Sequence, residues 1–251
     1  MRLSARSAIN HASHFARLAR RSARWPVFSV TSNRLVSGLV QQGIAPTFVV
    51  DVGANKGQFA VAILELVPGA RVLSFEPLPA QAAALARLDQ RYGPRLEVRN
   101  LALGSERSRL ELHVNQHHQS SSLRSLTPRH LSAFPDAQEA GSVVVDVDRL
   151  DSQISSTDVR PGSMLKIDVQ GFERDVIEGA GEVLQDFDTL LIEASFQTLY
   201  EGEWTFTEMV GDLASRGFEF KRPVGFLQDP QNAEYLQIDA LFVKAGQSGF
   251  A

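Results

Sequence analysis

The spacing of apolar and polar residues changes period several times along the chain, and each change marks an element. Residues 48–52 are an apolar, β-branched run broken only by Asp51. A turn containing Gly53 and Gly57 follows, and residues 59–66 continue at helical period. This predicts a strand buried on both faces, a tight loop and a helix. The pattern then recurs. Residues 71–75 read as a second strand, stopped at Glu76-Pro77 because proline cannot donate to a ladder. Residues 79–92 read as a crossover helix rich in alanine and leucine, and 96–104 as a third strand with its exit loop. Residues 164–168 and 189–193 read as the fourth and fifth strands, each ending in an acid (Asp168, Glu193). A helix over 206–216 is closed by Gly217, and two strands over 218–220 and 235–243 finish the pattern. Strands alternating with helices predict one α/β domain built on a largely parallel sheet. Between the third and fourth strands, residues 109–114 and 143–147 alternate as half-exposed strands do. They bracket a polar stretch that holds His117, His118 and the serines 120–122.

The loop after the first strand decides the chemistry. A strand, a tight loop and a helix N-terminus bind nucleotide-like ligands at the carboxyl edge of a parallel sheet. The dinucleotide fingerprint needs G-x-G-x-x-G, and a P-loop needs a Lys-Ser/Thr pair; Asp51-x-Gly53-x-Asn55-x-Gly57 is neither. An acid just before the first glycine opposes phosphate and favours a cation. S-adenosylmethionine carries an ammonium and a sulfonium and no phosphate, so the loop favours it over NAD. Glu76, 25 residues after Asp51, is placed to accept the ribose hydroxyls of an adenosine from either cofactor.

Charge alters the picture at the N-terminus. Residues 1–50 hold seven arginines and no acid, which leaves eighteen of the 25 basic residues and all 29 acidic ones to the rest. An acidic body argues against broad binding to nucleic acid. Arg17, Arg20, Arg21 and Arg24 fall on one helical face opposite Ala8, Ala12, Phe15 and Ala19, a basic helix able to make weak peripheral contact with an anionic membrane surface. The expected organisation is therefore a basic helical extension over 1–45, a domain over 46–245 and a tail over 246–251. No cysteine is present and no apolar stretch is long enough to span a bilayer, which fits a cytoplasmic protein, peripheral at most at the inner membrane face.

Six segments, VVDVGANKGQFA, VLSFEP, RNLALG, LKIDVQGFERDVIEGA, LLIEASFQTLYEGE and ASRGFEF, stand in an order that resembles the FkbM-type methyltransferase family over roughly residues 47–243. The resemblance implies a class I methyltransferase fold: a Rossmann-like, mostly parallel sheet with an antiparallel last strand and a β insertion between the third and fourth core strands. It also implies an S-adenosylmethionine-dependent enzyme, generally an O-methyltransferase. It assigns cofactor contacts to Asp51, Gly53, Asn55, Gly57, Glu76, Ala102 and Asp168, with Ala54 and Pro77 beside them.

Methyl transfer to a hydroxyl by in-line displacement needs donor and acceptor held in line and a base for the proton. His117, His118, Asp168, Glu173 and Glu193 are the candidate bases. A neutral imidazole matches neutral pH, whereas the carboxylates sit at strand ends. Asp168, Glu173 and Glu193 could instead hold a divalent ion, although the clustered ligands of metal-dependent methyltransferases are not evident. The loop over 197–205, with Tyr200, Glu201, Glu203 and Trp204, reads as exposed and able to clamp a sugar ring or to stitch down the next helix. A sugar hydroxyl is thus favoured slightly over a secondary-metabolite or lipid-linked acceptor. The rival readings are an NAD-dependent oxidoreductase and a non-catalytic, membrane-associated binding module.

Overall fold

The computed structural model describes residues 21–115, 121–134 and 139–246. Strands β1 (Phe48–Val52), β2 (Arg71–Phe75) and β3 (Leu96–Arg99) open a seven-stranded sheet. β4 (Ala102–Leu103), β5 (Ser108–Asn115) and β6 (Glu139–Asp148) form a separate three-stranded sheet. β7 (Ser163–Ile167), β8 (Thr189–Ser195), β9 (Phe218–Gln228) and β10 (Tyr235–Lys244) complete the first. The large sheet runs β3-β2-β1-β7-β8-β10-β9, parallel except for β10, which is antiparallel to both neighbours. Chain direction across the sheet reverses between β1 and β7, and ligands of open α/β sheets bind at such a switch point.

The helices are α1 (Val30–Gln41), α2 (Gln58–Leu66), α3 (Pro79–Ala86), α4 (Asp89–Tyr92), α5 (Pro128–Ala133), α6 (Leu150–Gln153), α7 (Glu173–Ala180) and α8 (Phe206–Ser215). Because side chains alternate across a strand, β1 and β7 feed two apolar layers. Val50, Val52, Leu165 and Ile167 pack with Val176 and Ile177 of α7 and Met209 and Leu213 of α8. Val49 and Met164 pack on the other side with Val36 and Leu39 of α1 and Phe59 to Leu64 of α2. Helix α8 starts at a capping box in which Thr205 and Glu208 satisfy each other's backbone amides.

Four expectations change. The crossover helix over 79–92 breaks after Ala86, and the break brings Leu85 and Leu88 together against the backbone of Gly57. The exit loop of β3 contains β4, which pairs in parallel with β6 and ties the insertion to the core. The loop over 197–205 is not an exposed clamp: Tyr200 and Trp204 are buried. The Glu203 carboxylate accepts from the amides of Leu199 and Tyr200 and from the Ser195 hydroxyl, so an acid can be buried there and fold the loop inward. Finally, the segment before residue 46 is not a mere appendage. Trp25, Val36, Leu39 and Ile44 belong to the α2-side core, and Arg21, expected on a membrane-facing stripe, donates to Asn33 and Ser37 and lies over Trp25. Arg17, Arg20 and the alanine face around residues 8–19 lie outside the described residues, as does the tail from 247. Among the described residues no helix is long and apolar enough to cross a membrane.

Candidate active site

The carboxyl ends of β1, β2, β7 and β8, with the start of β10 and part of the insertion, surround a cavity of about 1000 Å³. That is the upper end of the usual size for a small-molecule site, roughly 300–1,000 Å³.

The loop between β1 and α2 forms one wall. Gly53, Asn55 and Gly57 have φ of 76°, 49° and 88°, left-handed values that a glycine takes without strain. Their conformation turns the loop amides into the protein. Gly53 N and Ala54 N both donate to Phe75 O at 3.0 Å, Gly57 N donates to Ala54 O at 2.8 Å, and Asn55 N donates to Glu76 Oε2 at 2.7 Å. Glu76 Oε1 accepts from Leu78 N at 2.9 Å. The Glu76 carboxyl is thus fixed between two loops on the cavity wall. Burial pushes its pKa up, and the two amides pull it back.

Below this loop lies a charge triad that spans two strands. Asp51 on β1 stands beside Lys166 on β7. Lys166 Nζ is 3.2 Å from Asp51 Oδ1 and 3.4 Å from Asp168 Oδ2, and it donates to Gly53 O at 3.3 Å. Burial works against the ammonium, but Asp168 and Asp51 together hold it above the ordinary lysine range. Asp51 is fully buried behind the cavity, so the cation it needs is the protein's own. Asp168 keeps 36% of its side chain exposed and faces the cavity. Burial pushes the Asp51 pKa up and Lys166 pulls it back, so the carboxyl of the triad that meets the cavity is that of Asp168.

The loop after β7 joins that triad to a second group of acids. Gln170 has a φ of 57°, rare for a residue with a side chain. Its Nε2 donates to Asp168 Oδ1 at 2.9 Å and to Glu193 Oε2 at 2.6 Å, while its Oε1 accepts from Tyr200 OH at 2.6 Å. Gln237 Nε2 also donates to Glu193, at 3.1 Å. Asp239 on β10 pairs in register with Glu193. Burial, reinforced by Asp168 and Asp239, pushes the Glu193 carboxyl well above the usual range; burial and Asp168 push Asp239 up to about 6. Beside Tyr200 stands His130 of α5. It is 5% exposed, with its ring 5.2 Å from Tyr200 and 5.4 Å from Phe134 and its Nδ1 buried without a hydrogen-bond partner.

Gly53, Ala54, Asn55, Glu76, Pro77, Ala102, Asp168 and Glu193 all line the cavity. Asp51, Gly57 and Glu173 lie behind the wall. Glu173, a candidate base in the sequence, is 3% exposed and accepts from Val169 N at 3.1 Å and Gly171 N at 3.2 Å, which closes the loop over 168–173. His117 and His118 lie outside the described residues. Among the described residues, Asp168, Glu173 and Glu193 do not converge into a set of three metal ligands. Lys166, Gln170, Asp239 and His130 are additions that sequence reasoning did not assign. Only Lys166 left a signal there, as a basic residue inside an apolar strand.

Burial and the nearby Glu203 push the Glu173 carboxyl up to about 8. In the unfolded chain its pKa returns to about 4.3. Between those values the folded chain holds the extra proton, so this group's contribution is intact at low pH and is lost as pH rises through about 8. Glu173→Gln keeps the accepting oxygen and removes the titration. Thermal midpoints of the variant should match the parent near pH 5 and exceed it near pH 9, and parallel curves across that range would refute the assignment.

The family model described as Methyltransferase FkbM domain matches residues 51–220. The chain belongs to the FkbM methyltransferase family. It is 30% identical over 189 residues to the 2-O-methyltransferase NoeI of Sinorhizobium fredii, covering 72% of this chain and 75% of that protein. It is 26% identical over 185 residues to Methyltransferase 1 of Beauveria bassiana, covering 68% of this chain and 72% of that protein. The crystal structure of Methyltransferase FkbM from Methylobacillus flagellatus KT superposes with a TM-score of 0.51 at 16% identity, over 79% of this chain and 44% of that one. That superposition bears on the fold alone. It agrees with the mostly parallel sheet. In this FkbM methyltransferase the insertion closes the cavity with Ser121, Ser122 and Leu123 from one side and α5 from the other.

Proposed function

We propose that the chain is an S-adenosylmethionine-dependent O-methyltransferase whose acceptor is a hydroxyl of a sugar or sugar-like molecule, free or carrier-linked. One observation carries the choice of cofactor. Four loop amides that could cradle a phosphate are spent inside the protein, and the neighbouring wall turns the Asp168 carboxyl to the cavity. Such a wall repels diphosphate and attracts an ammonium or sulfonium. Gly53, Ala54, Asn55, Glu76, Pro77, Ala102 and Asp168 would hold the cofactor, which supplies a methyl group on positively charged sulfur. Glu76, already fixed by two amides, retains acceptor capacity for ribose hydroxyls.

The oxygen acceptor is supported by the 30% identity to a protein named as a 2-O-methyltransferase. The sugar-like character rests on the polar far end of the cavity, where Gln170, Glu193, Gln237, Asp239 and Ser122 stand together. The inward-turned Tyr200 and Trp204 do not contribute a stacking face. Burial raises the Glu193 pKa, and a protonated carboxyl can donate to a hydroxyl as well as accept.

Calorimetry should detect binding of S-adenosylmethionine and S-adenosylhomocysteine and none of NAD. Asp168→Ala should weaken S-adenosylmethionine by about tenfold or more, the loss of one charge-assisted contact worth at least about 1.4 kcal/mol. Labelled methyl incorporation across sugar, polyketide and lipid-linked acceptors then names the acceptor. Tight NAD binding with no heat from S-adenosylmethionine would replace this reading by the oxidoreductase one.

A further inference from the structure

We propose that His130 accepts the proton of the acceptor hydroxyl and that α5 serves to hold its imidazole at the cavity wall; this rests on the methyl-transfer reading above. Helix α5 has six residues, too few to be rigid alone, yet it is fastened on every side. The Thr127 hydroxyl donates to Thr198 O at 2.9 Å while its oxygen caps the amide of His130. Arg129 donates through Nε to Gln197 at 2.9 Å, through one terminal nitrogen to Asp229 at 2.9 Å and through the other to Glu234 at 2.8 Å. The residue held in place by these bonds is His130.

Its ring fills a slot against Tyr200 and Phe134 that a phenylalanine would fill without stranding a polar atom. Instead the Nδ1 of His130 is buried without a hydrogen-bond partner, on a residue that lines the ligand cavity. A buried polar atom left unpaired destabilises the fold unless something else pairs with it, and a bound hydroxyl is the group this cavity would bring. The carboxylates nearby are already engaged. Asp168 is held by Lys166 and Gln170, and Glu193 by Gln170 and Gln237. Burial lowers the imidazole pKa, so the ring is neutral and basic at pH 7. The charged and titratable groups around it are Tyr200 on the loop after β8, with Glu203 behind that loop, Arg129 on its own helix bound to Asp229 and Glu234, and Asp168 and Glu193 across the cavity.

In the step itself the acceptor oxygen gains the methyl carbon, the carbon–sulfur bond breaks, and its electron pair stays on sulfur as a neutral thioether. The hydroxyl proton passes to the imidazole and then to solvent.

Two measurements test this, using the full chain. His130→Phe keeps the packing and removes the base. The variant should keep its thermal midpoint, bind S-adenosylhomocysteine within about twofold of the parent, and lose kcat by about 10²-fold or more with little change in KM. The acid limb of the rate profile should vanish with it. The assay uses labelled S-adenosylmethionine with a set of methyl hexosides and 6-deoxyhexosides. Independently of turnover, NMR of ring-labelled histidine should show the His130 signal, identified by its loss in the variant, titrating reversibly below pH 6.5 in the folded protein. Turnover by His130→Phe within threefold of the parent, or a ring that never titrates before unfolding, overturns the proposal. A parent that binds S-adenosylhomocysteine yet methylates none of the glycosides overturns it together with the sugar acceptor. A parent that fails to bind S-adenosylhomocysteine overturns the cofactor reading first.

Discussion

Lys166→Met should lower the stability of this protein by about 3–5 kcal/mol, because the fully buried Asp51 would lose the only ammonium within reach among the described residues. For a chain of this size that corresponds to a fall of roughly 6–20 °C in thermal midpoint. The cost arises from the charge left behind, so removing that charge as well should reverse most of it. The double variant Asp51→Asn/Lys166→Met should recover more than half of the lost midpoint, and differential scanning calorimetry of the parent, both single variants and the double variant closes the cycle. A single variant as stable as the parent would show that Asp51 is already neutral and that the triad is no ion pair. The recovered double variant should still bind the cofactor poorly, since Lys166 also holds the Gly53 carbonyl and orients Asp168.

Gly53→Ala is the second large effect. A Cβ at this position would lie far inside the van der Waals shell of the Asp168 carbonyl oxygen, a backbone atom that cannot swing away. The φ of 76° adds a penalty of about 1–2 kcal/mol for any side chain. Together they should destabilise the fold by roughly 3–5 kcal/mol and weaken cofactor binding by at least about 100-fold, because the loop and β7 must part to admit the methyl group. Gly43→Ala is the matched control: its φ is 83°, but nothing lies within 4 Å of the added carbon. It should cost only the conformational term. Equal losses for the two variants in chemical denaturation would show that the close approach of Gly53 to Asp168 does not matter.

The sequence made one half of the site legible because that half is local. Val49 to Val52, the glycines at 53 and 57 and the apolar period of α2 are consecutive, so strand, turn and helix can be read from neighbours alone. Glu76 and Asp168 were visible for the same reason, each an acid at the end of an apolar run. What escaped depends on residues distant in sequence. Lys166 is a single basic residue inside an apolar strand, and only the parallel register of β1 on β7 reveals that it stands beside Asp51. His130 sits in a polar stretch with no periodicity, and its role appears only when Arg129 is seen gripping Asp229 and Glu234, about a hundred residues away. The aromatic loop misled for a related reason. Tyr200 and Trp204 next to acids suggest solvent, whereas Glu203 gathers the local amides and lets Leu199, Tyr200 and Trp204 go under. The resemblance of six segments to one family supplied the antiparallel last strand, which periodicity alone does not determine.

The far wall of the cavity and the near wall are written in different parts of the chain. Ser121, Ser122, His130 and Phe134 all fall within the single stretch that separates β3 from β7, whereas Gly53 to Asn55 and Glu76 precede it and Asp168 follows it. That stretch supplies this wall as one contiguous segment. Swapping it between relatives, with the residues facing Arg129 at 197, 229 and 234 carried along, should reprogram which hydroxyl is chosen while the methyl source stays the same. A lineage could therefore change its customers without rebuilding its engine.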